Sequence, residues 1–351
     1  MNRELWADKA KFIGIILMLL GHNSLANKHI FDWIYSFHMP LFFVLSGYFT
    51  SNKPIPFSQY LKKNARQLLI PYICFYLITL PFSYYGLYLK GSAGYNGLSE
   101  FILKPICGFF TIESTQYSFN ANYALWFFVT LFVVKMIFYI PIKFKCSWKS
   151  LLLTSFGCIA TLLFISSFDC YIYGRFDRAL IAFPIFAIGY VLRVKTTWIY
   201  SILKLSTITK VALGIALYAI VYIGAMCNGH VSFGGVNYGN SLLLTYLIAI
   251  IGTIATICIS DSLPNFKQIL TIGGGTAILL GLHSPIQEIV KRLGKILFNI
   301  PIHDYSLINA LLMIIIIAAI HIPIINYCNK NYLFIGENKK IVKSSIKRQR
   351  I

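Results

Sequence analysis

Histidine is the side chain whose ordinary pKa lies near neutrality, so an imidazole set among apolar residues can move protons at physiological pH. Two stand close to the start of the chain: His22 after the apolar run from Phe12 to Gly21, and His38 within Phe37-His38-Met39-Pro40-Leu41-Phe42-Phe43. On a helix, Lys11 and His22 fall within ~20° of each other and ~16 Å apart along the axis. Asp8 lies within ~40° of the same direction and can pair with Lys11 three residues on. One helix face then carries a cation at one end and an imidazole deep inside. In isolation these residues also have a bland reading, in which Lys11 snorkels to the interface and His22 hydrogen-bonds a neighbouring helix. His38 favours the catalytic reading. Pro40 suits a first helical turn, and a connection of ten residues would return His38 to the level of His22, at the outer mouth of a second span.

The elements that must position these residues are written in the composition. Hydrophobic residues make up 57% of the chain and charged residues 12%, against about 45–50% and about 25% in soluble domains, which excludes an ordinary soluble protein. A helix needs about 20 mostly apolar residues to cross a bilayer. Ten stretches come near this, roughly 12–26, 33–50, 68–89, 123–141, 150–168, 179–193, 207–227, 240–260, 269–289 and 306–328. The predicted fold is therefore all-α, a polytopic membrane protein built as a single bundle of about ten transmembrane helices. Residues 1–328 form the membrane domain and 329–351 a basic tail. The first apolar segment has no clear cleavage site after Gly21-His22-Asn23 and reads as a retained helix. With the N-terminus inside, 22 Lys and Arg residues fall on inner segments and 8 on outer ones, so both termini are expected in the cytoplasm. The formal charge of +20 is spread along one membrane face, which argues against nucleic-acid binding and suits anionic membrane lipid or a plain topology anchor. The eight cysteines lack close metal-ligand spacing and read as small buried hydrophobes, so no metal is expected. Gly273-Gly274-Gly275 lacks the lysine and hydroxyl residue of a phosphate loop and reads as a loop or a close helix contact.

Asp8-x-x-Lys11, Gly21-His22 and Phe37-His38-Met39-Pro40-Leu41-Phe42-Phe43-x-Leu45-Ser46-Gly47-Tyr48 are followed by Arg66-Gln67-Leu68-Leu69-Ile70-Pro71-Tyr72 and Asn122-x-x-Leu125-Trp126-Phe127. Then come Phe183-Pro184-x-Phe186-x-Ile188-Gly189-Tyr190, Tyr238-Gly239-Asn240 and Gly281-Leu282-His283. This ordered series resembles the acyltransferase-3 family of membrane O-acyltransferases, in its fucose 4-O-acetylase-like branch. The resemblance implies transfer of an acetyl, or another short acyl, group from cytoplasmic acetyl-CoA to a hydroxyl of a cell-envelope or surface polysaccharide, in a bacterial-type inner membrane. The partners it implies are a glycan or lipid-linked sugar and the membrane lipid. Many relatives carry arginine where Lys11 stands; lysine keeps the charge without the bidentate fork. In this reading His22 is the general base or a transient acyl carrier, and His38 orients the acceptor or donates to the oxyanion. Asp8 and Lys11 complete the catalytic set, and Lys11 joins Arg66, Lys62 and Lys63 in holding the CoA phosphates. Asn122, Trp126 and His283 line the acceptor side. Arg66 reads equally as an inner-leaflet anchor, Trp126 as an interfacial aromatic, and Asp177 with Arg178 as a structural pair. A flippase or exporter of lipid-linked glycan would share the helix count, the basic inner face and the intramembrane histidines, but transport gives no reason for the ordered His22 and His38 motifs.

Overall fold

The protein is described by a computed structural model over residues 4–22, 27–51, 53, 55–89, 98–113, 121–145, 147–168, 175–194, 197–298 and 307–331. The helices are α1 (Leu5–His22), α2 (Lys28–Tyr48), α3 (Phe57–Leu89), α4 (Leu98–Thr111), α5 (Trp126–Lys143), α6 (Trp148–Ser166) and α7 (Asp177–Val194). The series continues with α8 (Thr197–Leu203), α9 (Thr207–Asn228), α10 (Leu242–Ser262), α11 (Lys267–Gly274), α12 (Thr276–Phe298) and α13 (Leu307–Asn331). A 3-10 turn, Tyr123–Leu125, leads into α5, and a small hairpin, β1 (Val231–Ser232) and β2 (Asn237–Tyr238), joins α9 to α10.

Six of these helices are long and apolar enough to cross a membrane: α3, α5 with its leading turn, α6, α9, α10 and α13. On α6 and α9 most apolar side chains point outward, with Leu153 of α6 73% exposed and Ile208 of α9 82% exposed, while half of α5 and of α10 is buried, as expected where lipid is the solvent of the outer helices. Helices α1, α2 and α7 carry charges too, among them Asp8, Lys9, Lys11, Asp32 and Arg178, yet sit inside the bundle with most of their residues buried. Charge is tolerated there because other helices, not hydrocarbon, surround it.

Three expectations are corrected. The stretch read as a continuous ninth span is broken: α11 and α12 meet at an 86° bend. The break has a packing cause, since a Cβ at Gly273 would overlap the backbone of Asp8, so the glycines let α11 press against the start of α1. The third helix begins at Phe57 instead of near residue 68 and runs through Pro71 and Pro81. The long gap before α5 contains α4, pinned to α3 by the hydroxyls of Tyr72 and Tyr76, which donate to the carbonyls of Phe109 and Pro105. The first three residues of the basic tail continue α13, and residues 332–351, the rest of it, lie outside the described residues.

The register of α1 against α2 sets the site. Gly14 of α1 faces Leu41 and Phe42, while Gly21 faces Ile34 and Tyr35. The two helices are antiparallel, and each residue up α1 matches one down α2. Here the end of the bundle where α1 begins is called proximal, and the end holding His22 distal.

Candidate active site

At the proximal end two neighbouring lysines have different surroundings. Lys9 is 4% exposed and its ammonium donates to the carbonyls of Asp261 (3.1 Å) and Leu263 (2.8 Å), closing the C-terminus of α10. Lys11 pairs with Asp8 at 3.2 Å, keeps 28% of its side chain exposed, and lies 5.4 Å over the Phe49 ring. Lys11 is therefore the cation of α1 that remains open to a ligand. Lys62, Lys63 and Arg66 are exposed on α3, and the next two residues, Gln67 and Leu68, line an internal cavity.

That cavity, about 170 Å³, lies between α1, α2, α3, α5 and the first turn of α12. Ile15 and Met18 form its α1 wall, with Met39 and Phe42 from α2, Phe127, Phe128 and Leu131 from α5, and Thr276, Ala277 and Leu280 from α12. Ile15 and Met18 fall four and seven residues after Lys11, and His22 four after Met18, so the cavity follows the helix face that joins Lys11 to His22.

Three histidines stand about its distal end. The His22 ring lies 5.2 Å from that of His283, edge to face. The Tyr35 ring lies 6.4 Å from His22 and 5.0 Å from His38. Each histidine is within one turn of a cavity-lining residue: Met18, Met39 and Leu280 respectively. Against expectation, His38 is not at the mouth of its helix. Asn27 caps α2 through its side chain, the helix starts at Lys28, and Pro40 is interior. From the α1–α2 register His38 lies level with Leu17 and Met18, ~6 Å or one turn below His22.

Two of the imidazoles have a fixed tautomer. A carbonyl oxygen only accepts, so contacts from Nδ1 of His38 to the Ile34 carbonyl (2.8 Å) and from Nδ1 of His283 to the Leu280 carbonyl (2.9 Å) put the proton on Nδ1. Neutral His38 then presents a lone pair at Nε2, where it accepts a hydroxyl or a proton; donation to an oxyanion requires it to be protonated first. His22 is held through its backbone, whose carbonyl accepts from the Gln287 amide at 3.3 Å.

Asn122 and Trp126 stand close by, and the Asn122 amide is already committed. The Asn122 side chain caps Ala124 N–H at 3.2 Å and donates to the Gly281 carbonyl at 2.9 Å, tying α5 to α12 two residues before His283. Trp126 is buried under Gly234 of the hairpin and 6.4 Å from the Phe43 ring.

Arg178 corrects another expectation. Its side chain does not pair with Asp177, which instead engages Arg175 at 3.1 Å. At 1% exposure, Arg178 donates to the carbonyls of Gly234 (2.6 Å) and Ile112 (3.3 Å), lies 3.8 Å from Glu113, and stacks over Tyr123 and Trp126. One guanidinium fork thus joins the hairpin, the end of α4 and the start of α5 around the distal mouth. Tyr35, Gln287 and the pair Asp32–His230 escaped the sequence reading, and Arg178 was read only as a partner of Asp177. The signal available for Asp32 and Arg178 was a charge flanking an apolar run, which also describes any solvated loop.

The family described as an acyltransferase domain matches residues 4–326. The chain belongs to that family, acyltransferase-3, and is an acyl-transferring membrane protein. A relative, the nodulation protein NolL of Mesorhizobium japonicum, is 38% identical over 82 residues, 20% of this chain and 22% of the relative. The match spans about a fifth of that relative's length. No solved structure matches.

Proposed function

We propose that the protein is an O-acyltransferase of about ten spans, with both termini in the cytoplasm of a bacterial-type cell. It moves a short acyl group, acetyl first, from cytoplasmic acyl-CoA to a hydroxyl of a cell-envelope or surface glycan. The observation that carries this reading is the cavity along the Lys11-to-His22 face, with the part-exposed Lys11–Asp8 pair one turn before its first α1 residue and three histidines within one turn of its distal lining. With the basic proximal face in the cytoplasm, Lys11, Arg66, Lys62 and Lys63 are placed to meet the phosphates of CoA. The apolar cavity then carries the thioester end of its arm toward the histidines.

The acceptor arrives from the distal side and meets His22 first. His22 takes the hydroxyl proton as the oxygen attacks the thioester carbonyl; the carbon–sulfur bond breaks, and the departing thiolate takes that proton back, leaving ester and CoA thiol. His38 orients the acceptor by accepting at Nε2, and Nδ1–H of His38 and His283 stay on backbone carbonyls, which keeps both rings from turning. The two substrates approach from opposite faces, so neither has to leave for the other to bind.

The test uses purified protein in detergent with acetyl-labelled CoA and an envelope glycan. Label transfer and CoA release by the native protein, both lost in His22→Ala, are expected. Transfer that survives unchanged in His22→Ala overturns the mechanism, and glycan movement without acylation would show an exporter instead.

A further inference from the structure

The distal mouth holds an imidazole–carboxylate pair, which the mechanism above leaves unused. Asp32, on α2, is a carboxylate whose side chain is 6% exposed, and Nδ1 of His230 reaches it at 2.9 Å. His230 itself stays 38% exposed. A buried carboxylate is costly unless paired, so the pair needs His230 in this orientation. The chain delivers it there by a local device: Gly229 ends α9 at φ +75°, a conformation that suits glycine, and the turn sends His230 across to α2. With Nδ1 committed to Asp32, the group left for a ligand is Nε2, which has no partner among the described residues.

The rings around it form a continuous shelf. Phe31 stacks on Tyr35 at 4.0 Å and on His230 at 5.4 Å, and His230 lies 5.9 Å from Tyr35. Tyr35 is the same ring that touches both His22 and His38. The shelf therefore starts at the exposed imidazole and ends at the reacting histidines, a span suited to one or two sugar rings. Aromatic faces suit the C–H face of a pyranose, and a few placed polar groups select its hydroxyls. Arg175, Arg178 and His230 are each paired with a carboxylate: Arg175 with Asp177 and Glu113, Arg178 with Glu113, and His230 with Asp32. No unmatched cation is left among them to hold an acidic sugar.

We infer that His230 recognises the acceptor, that its Nε2 bonds a hydroxyl of an uncharged pyranose lying on the Phe31–Tyr35 shelf, and that Asp32 is a positioning residue for His230. This rests on the acyltransferase reading and deepens it. The test measures acetyl transfer from labelled acetyl-CoA by the full-length protein in detergent to p-nitrophenyl β-D-glucopyranoside, to the matching galactopyranoside and to the matching glucuronide. His230→Ala is expected to raise the acceptor KM about tenfold, the weight of one good hydrogen bond, more than it lowers kcat and without moving the KM for acetyl-CoA. His230→Gln, which keeps a polar group there, recovers most of that loss. Asp32→Asn falls between the two, and the glucuronide is the poorest acceptor of the native protein. An acceptor KM unchanged in both His230 variants, a loss confined to kcat, or a glucuronide as good as the glucoside overturns the inference. If His230→Ala does not fold, Asp32→Asn decides by the same KM criterion. Failure of the native protein to label any of the three glycosides would instead overturn the acyltransferase reading.

Discussion

Adding one methyl group at Gly189 is a sharp test of the scaffold that holds the site. Helix α2 carries His38 and α7 carries Arg178, and the two cross where Gly47 and Gly189 each face the other's backbone. A Cβ at residue 189 would overlap the Val44 carbonyl oxygen and stand 2.7 Å from its carbon, where ordinary contact begins near 3.4 Å. A Cβ at residue 47 would overlap the Phe186 carbonyl in the same way. Because both obstacles are backbone, no rotamer relieves them, and clearing the carbonyl oxygen requires the helices to part by ~1 Å or more. Overpacking of this kind costs about 1–3 kcal/mol and the rigid case sits at the top of that range or above. At roughly 2 °C per kcal/mol for a chain of this size, Gly189→Ala and Gly47→Ala each lower the melting temperature in detergent by about 4–8 °C. Activity falls further than stability, by about tenfold or more, because His38 is carried on α2 and acyl transfer tolerates little misplacement. Gly157 on α6 supplies the control, since nothing lies within 4 Å of a Cβ there. Gly157→Ala relieves backbone entropy alone and stabilises by about 0.5–1 kcal/mol. Melting of Gly189→Ala at or above the native value, or a fall in Gly157→Ala as large as in Gly189→Ala, would refute the crossing argument.

Arg178→Met removes a buried fork from two carbonyls and should cost about 3–5 kcal/mol in thermal melting, with Arg178→Lys intermediate because it keeps the charge but not the second donor; a melt within 1 kcal/mol of native contradicts the strut. Lys11→Met should raise the KM for acyl-CoA about tenfold while moving the melt by less than about 1 kcal/mol, since a part-exposed pair contributes little. Lys9→Met should do the reverse, lowering the melt and leaving that KM in place; equal behaviour of the two lysines would refute their division of labour. His321 is fully buried with Nε2 unpartnered among the described residues. His321→Leu should therefore keep activity and leave the melt unchanged or raised by about 1 kcal/mol, and a loss of transfer would move His321 into the mechanism.

What could be read from the sequence divides along a physical line. The helix face joining Asp8, Lys11 and His22 depends only on 3.6-residue periodicity within one helix, and in the structure that face borders the cavity. The family series was legible because it is linear. Placement between elements was not. His38 was set one turn too high because Pro40 after a histidine looks like a helix start, and nothing local reveals that Asn27 caps α2 three turns earlier. The 86° break at Gly274 and Gly275 hid inside an apolar stretch of sufficient length for a span, since a glycine read alone does not show which backbone presses on it. Arg178 was given the wrong partner and Asp32 was passed over for a related reason: their charges are tolerated inside the bundle only because Gly234, Ile112, Glu113 and His230, all distant in sequence, come to meet them. The residues that do chemistry along one helix announce themselves by spacing, whereas those that select and hold the acceptor are defined by which loops meet at the distal mouth. Substitutions at His22 should therefore act through kcat and substitutions at His230 through the acceptor KM, and a pattern with these two roles exchanged would show that the mouth, not the buried histidine ring, is where the ester bond forms.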